Sequence, residues 1–289
     1  MLLFLLGFIN AFLITPIIYY LLKHFAILEL NILFPQLKLS LFSIKIIAFT
    51  ISSTVILYLY YLSRHSALWL YYAISKCKYR YPAPQEQEKI LFIKEQLNLR
   101  YNQINWGKII FLMKDDDIIN GYALGNNLII LTTGCFKGLV PPEEIFAIVA
   151  HELGHIYDKK TINKTSEIYM NRVFQPFIIN PFESNKKKIE VNRINNYMIL
   201  AYLAASIFFY GMTTTIIVFI IRHIVQVLLA KQNRDNEFIA DDFIKKFNLQ
   251  EYQCRYLNRF TEKKVKVSYK NLFKTHPSPK KRIQRLLQN

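Results

Sequence analysis

A chain of 289 residues has room for one large domain, or for a medium domain with membrane segments. Hydrophobic residues make up 52% of it, yet its formal net charge is +17, which excludes an ordinary soluble globule unless the two properties are segregated. They are: residues 1–62 carry only Lys23, Glu29, Lys38 and Lys45, and almost all the remaining charge follows Arg64. A basic surface suits nucleic acid or an anionic membrane face. No nucleic-acid-binding signature accompanies it, so the expected neighbour is a lipid bilayer and no nucleic-acid partner is expected. Cys77, Cys135 and Cys254 are widely separated and lack CxxC spacing, the pattern of reduced thiols in a cytosol-facing protein.

Leu2 to Leu22 is uncharged and long enough to cross about 30 Å of hydrocarbon as a helix, with Pro16 as a candidate kink. It lacks the basic start and small-residue cleavage site of a signal peptide, so a retained transmembrane helix is expected. Ile46 to Leu62 predicts a second span, with Lys45 and Arg64 at its ends and Tyr58, Tyr60 and Tyr61 as an interfacial belt. After Pro82 and Pro84, Gln85 to Leu99 reads as an amphipathic helix that starts the polar part of the chain. In Asn120 to Cys135, Gly125, Asn126 and Asn127 are turn chemistry and Leu128 to Thr132 is a β-prone run, which predicts a hairpin.

Residues 141–158, PPEEIFAIVAHELGHIYD, predict a helix. Pro142 suits its first turn, Glu143 and Glu144 its positive end, and Ile145, Ile148, Val149, Leu153 and Ile156 form an apolar stripe. His151 and His155, at i and i+4, share a face and can chelate one ion. Glu152 sits one step round, where its carboxylate can act as a base towards water without binding the metal. Such a centre needs a third protein ligand and an open position. Residues 234–247, RDNEFIADDFIKKF, supply one: Glu237 completes a His, His, Glu set, and Asp241 one turn on can orient a ligand imidazole. Asp242 projects elsewhere as ordinary surface.

Between these halves Tyr197 to Ile221 is apolar and resumes as Ile224 to Ala230 after Arg222 and His223. Ligands from both sides must meet, so this stretch crosses a bilayer an even number of times or not at all. A hairpin near Gly211 would have short arms; the alternative is helices lying in the interface as a roof. Lys186, Lys187 and Lys188 are expected to be solvated or to touch lipid headgroups, and His24, His65 and His223 to sit at membrane edges.

HELGH followed by ExxAD resembles the HtpX-type zinc metalloproteases and their relatives, the CAAX prenyl endopeptidases and Oma-type enzymes. The resemblance spans about residues 110–289, and two N-terminal spans fit the HtpX layout. HtpX-type chains usually carry two clear spans between the two motifs, where this chain has one interrupted stretch. The resemblance implies that NGYALGNNLIILTTGC includes an edge strand receiving substrate as an added β-strand, at Asn120, Gly121, Tyr122 and Ala123. It implies that THPSPKKRIQRL places His276 beside the metal, as oxyanion stabiliser or reversible extra ligand.

The expected fold is mainly α, an α+β gluzincin-like peptidase with a small β-hairpin or sheet, preceded by two transmembrane helices. Residues 1–65 would form the transmembrane hairpin and 66–289 the zinc metallopeptidase domain, with a membrane-associated apolar insert at about 197–230. The expected activity is zinc-dependent endoproteolysis of protein or peptide substrates, membrane proteins above all, in quality control. One Zn2+ is expected, and the expected site is a bacterial inner membrane with the active site facing the cytoplasm. Prenyl-protein endopeptidase and non-proteolytic membrane scaffold are the alternatives.

Overall fold

The computed structural model describes residues 2–33, 41–62, 65–75, 77–158, 204, 207, 210–260 and 276–288. The chain divides into two units, residues 1–62 with 166–228, and residues 63–165 with 229–289.

In the first unit α1 (Leu2–Leu33) packs on α2 (Leu41–Leu62). Tyr19, Ile44 and Ala48 form one apolar contact between them. The hydroxyl oxygens of buried Thr15 and Ser52 lie 3.2 Å apart, and each hydroxyl donates to the carbonyl one helical turn back. Pro16 does not interrupt α1, which continues past Lys23 and His24 well beyond the uncharged stretch. Charge ends a hydrophobic window; it does not end a helix.

On the C-terminal side of Gly211 the same reasoning replaces the expected short arm with a longer helix. There the backbone turns left-handed at φ 82°, as is usual for glycine just past a helix end, and α6 (Met212–Ile244) begins. It runs 33 residues, about 50 Å, through Lys231 and Arg234 into the Glu237 segment. Most of Tyr197–Tyr210 and all of Lys186–Lys188 lie outside the described residues. Among the described residues, three helical stretches are long and apolar enough to cross a membrane: Leu5–Lys23, Ser43–Leu62 and Met212–Phe247. Arg222, inside the apolar part of α6, donates to the fully buried Asn10 side chain of α1 at 3.4 Å.

The second unit contains α3 (Ser66–Ser75), α4 (Pro84–Arg100), α5 (Pro142–Tyr157), the C-terminal part of α6, α7 (Gln250–Asn258) and α8 (Pro279–Leu287). Among the described residues its sheet has three strands, β1 (Ile110–Lys114), β2 (Gly121–Leu124) and β3 (Leu128–Thr132), in the order β1-β3-β2. The expected hairpin is β2 and β3, antiparallel with Gly121 opposite Leu131, turning at Gly125. β1 adds to it in parallel with β3. Its source, Ile109 to Met113, is an unbroken apolar run, which periodicity cannot assign to strand or helix. β3 is buried along its whole length, and β2 is left at the sheet edge. The core beneath joins Ile90, Ile93 and Leu97 of α4 to α5, which is buried almost all round, and to Ile244, Phe247 and Leu257.

Candidate metal centre

α5 and α6 meet with almost no space between them because residue 154 is glycine. A Cβ there would lie 2.8 Å from the Ala240 Cα and 2.9 Å from the Phe243 Cβ. Bare backbone against a small alanine brings the α6 backbone down on α5 one turn past Glu237 and directly beside His155. The glycine of HELGH therefore governs reach: it lets a carboxylate on one helix meet two imidazoles on the other.

His151, His155 and Glu237 each offer one ligand atom, all within 4.8 Å of one another. The Nε2 atoms of His151 and His155 lie 3.4 and 3.5 Å from the two Glu237 carboxylate oxygens. Donors bound tetrahedrally at about 2.0–2.1 Å are about 3.4 Å apart, so these separations suit a zinc-sized ion. Nδ1 of His151 lies 3.1 Å from Asp241 Oδ1, which leaves Nε2 for the centre, the arrangement by which an outer carboxylate fixes a ligand tautomer. Two imidazoles and one carboxylate are also the donor chemistry of a catalytic zinc.

The C-terminal segment supplies two further groups. His276, 59% exposed, places Nδ1 3.0 Å from Glu237 Oε1. Arg282 on α8 is the residue that sequence reasoning passed over. Its Nε and Nη2 bond Asp241 Oδ2 and Oδ1 at 2.8 and 2.6 Å, a two-pronged clamp on a carboxylate with no exposure. Its Nη1 lies 3.4 Å from Glu237 Oε2 and its Nη2 3.3 Å from the His151 ring nitrogens. The signal was a periodic one: Arg282 and Leu286 are i and i+4, so the arginine lies on the apolar, inward stripe of α8. Asp242, by contrast, faces outward and pairs with Arg285 and Lys245, as expected of surface.

Burial pushes the carboxyl groups of Asp241 and Glu237 up, but their partners outweigh it. Arg282 and His151 hold Asp241 below its usual range, and His151, His155 and His276 hold Glu237 well below it. For His151, burial and the nearby Arg282 push the imidazole down, while Asp241 and Glu237 together raise it to about 9.

β2 runs along the other side of α5. A Cβ on Gly121 would stand 2.7 Å from Ile148 Cγ2 and 3.2 Å from Glu152 Cγ, so only glycine lets the strand pass over the stem of the buried Glu152. The structure thus places the proposed base beside an edge strand.

The model for Peptidase family M48 matches residues 85–289. Among curated proteins, Protease HtpX of Wigglesworthia glossinidia brevipalpis is 26% identical over 219 residues, covering 66% of this chain and 70% of that one. These two findings bear out the resemblance to HtpX-type metalloproteases. Among solved structures, the crystal structure of S. mikatae Ste24p aligns with 16% identity and a TM-score of 0.46, over 95% of this chain and 66% of that one.

Proposed function

The chain belongs to Peptidase family M48, and from that premise we propose that it is a membrane-bound zinc endopeptidase whose site is His151, Glu152, His155 and Glu237. The convergence of two imidazoles and one buried carboxylate from separate helices carries this reading. Zinc held by His151, His155 and Glu237 would supply the Lewis acidity that activates water and polarises a peptide carbonyl near neutral pH. Glu152 takes the proton of the attacking water and passes it to the leaving amine, so the scissile C–N bond is replaced by a carboxyl group and a free amine. Asp241, clamped by Arg282, keeps the His151 ring in the orientation that points Nε2 inward. His276, exposed and 3.0 Å from Glu237, donates to the oxyanion that develops on the carbonyl. Substrate adds in extended form along the sheet edge that Asn120, Gly121, Tyr122 and Ala123 form.

The substrates are membrane or membrane-associated proteins, degraded in quality control at a bacterial inner membrane with the site facing the cytoplasm. Three membrane-length helical stretches, the strongly basic balance and the HtpX relative support this. Purified full-length protein in detergent is expected to hold one zinc per chain and to cut casein. Glu237→Ala should lose both properties. Glu152→Gln should keep the zinc and lose at least about a hundredfold in rate, the usual share of a general base. Undiminished cutting by Glu152→Gln would exclude the mechanism.

A further inference from the structure

The edge strand carries a built-in obstruction. Thr132 N–H donates to the Asn120 carbonyl at 3.1 Å, so residue 120 faces β3. In an antiparallel ladder the next residue faces away, which turns the N–H and C=O of Gly121 and of Ala123 to the free side of β2. The Gly121 N–H is nevertheless engaged: it donates to Oδ1 of Asn120 at 2.9 Å. That oxygen also accepts the hydroxyl of Tyr256 from α7, at 3.0 Å. The Asn120 amide donates in turn to the Tyr122 hydroxyl at 3.0 Å, on the face that residues 120 and 122 share. Tyr256 is buried, with 9% exposure, and its hydroxyl reaches the Ile119 carbonyl as well, so the whole arrangement is anchored outside the strand.

We propose that Tyr256 is a positioning residue that holds the Asn120 carboxamide as a cap on the Gly121 amide, and that this cap sets the register in which substrate adds to β2. The inference rests on the strand-addition reading above. Residues 121 and 123 would otherwise be equivalent docking positions, each offering a donor and an acceptor and displaced by two residues. A slip of two preserves which side chains face the sheet, so nothing else in a strand forbids it. With Asn120 in place only Ala123 offers both groups. One peptide bond of the bound segment is then presented beside Glu152, rather than either of two.

The test maps the bonds cut in casein, by mass spectrometry, for full-length protein in detergent. Tyr256→Phe removes one hydroxyl. It is expected to bring accessory cuts two residues from each principal bond, enriched about fivefold over wild type, as the loss of one hydrogen bond implies. Asn120→Ala should reproduce that displaced pattern. Asn120→Asp, which can still accept from both Gly121 and Tyr256, should restore the wild-type pattern whatever its rate. Cut positions do not depend on the fraction of chain that is folded, so a partly unstable variant remains informative. A synthetic peptide bearing the strongest casein cut, N-methylated at one backbone amide at a time, separates the two layers of the argument. Sensitivity to methylation together with unchanged cut positions in both Tyr256→Phe and Asn120→Ala overturns the cap alone. Cleavage that tolerates methylation at every position overturns strand addition and the cap with it.

Discussion

At the residue scale, the site is governed by charges that cannot be hydrated. Asp241 is fully buried, and Arg282 supplies two of its hydrogen bonds. Removing one partner of a buried pair leaves the other uncompensated, which costs about 3–5 kcal/mol. Arg282→Ala is therefore expected to lower the melting temperature sharply and to weaken zinc retention, because His151 loses its fixed orientation. Arg282→Lys, which keeps the charge without the fork, should fall between the two; calorimetry and metal analysis after dialysis measure both effects. His151 gives a signed pH dependence. An unfolded histidine titrates near 6.5 and this one near 9, so its contribution is complete below pH 6.5 and is lost as pH rises through 9. Protein stripped by a chelator should melt at progressively lower temperature across that window. Zinc affinity should rise over the same window, because the proton that competes for the imidazole is leaving. A chelated protein that gains stability between pH 6.5 and 9 would contradict the assignment.

At the scale of elements, the decisive feature is the crossing of α5 and α6. In an isolated helix, alanine in place of glycine stabilises by about 1 kcal/mol. At Gly154 the new methyl group would meet backbone and Cβ atoms inside 3.0 Å, so Gly154→Ala should destabilise by about 1–3 kcal/mol and displace Glu237. Thermal melting and zinc content together report it, and a stabilised, zinc-replete variant would refute the close crossing. The α5 helix and the His, His, Glu set were legible in the sequence because helical periodicity fixes which side chains share a face. Asp241 was legible for the same reason. Arg282 was not, since only its i, i+4 spacing with Leu286 sets it apart from Lys280, Lys281 and Arg285, which share its basic segment. β1 was hidden because a run buried on both sides has no period. The length of α6 was hidden because hydropathy registers lipid affinity, while backbone hydrogen bonding continues through charged residues.

For the whole molecule, the segregation of apolar and charged residues in the sequence reappears as three membrane-length stretches and a basic peptidase unit. The protein is expected to stay in the pellet when membranes are washed with alkaline carbonate or high salt; release by either treatment would exclude integral spans. α6 links the two properties within one element, since Glu237 follows the apolar run by two helical turns, about 10 Å along the axis.

The strand proposed to receive substrate is four residues long, and two of them are glycine and alanine. Such a strand has little side-chain surface with which to distinguish one amino acid from another. What it can distinguish is whether a chain has free backbone donors and acceptors in extended form, and those groups are spoken for in a helix or a finished sheet. On the proposed reading, then, the substrate carries no recognition word. The mark for destruction is unfoldedness, and any neighbour in the membrane is spared for as long as its own backbone is satisfied.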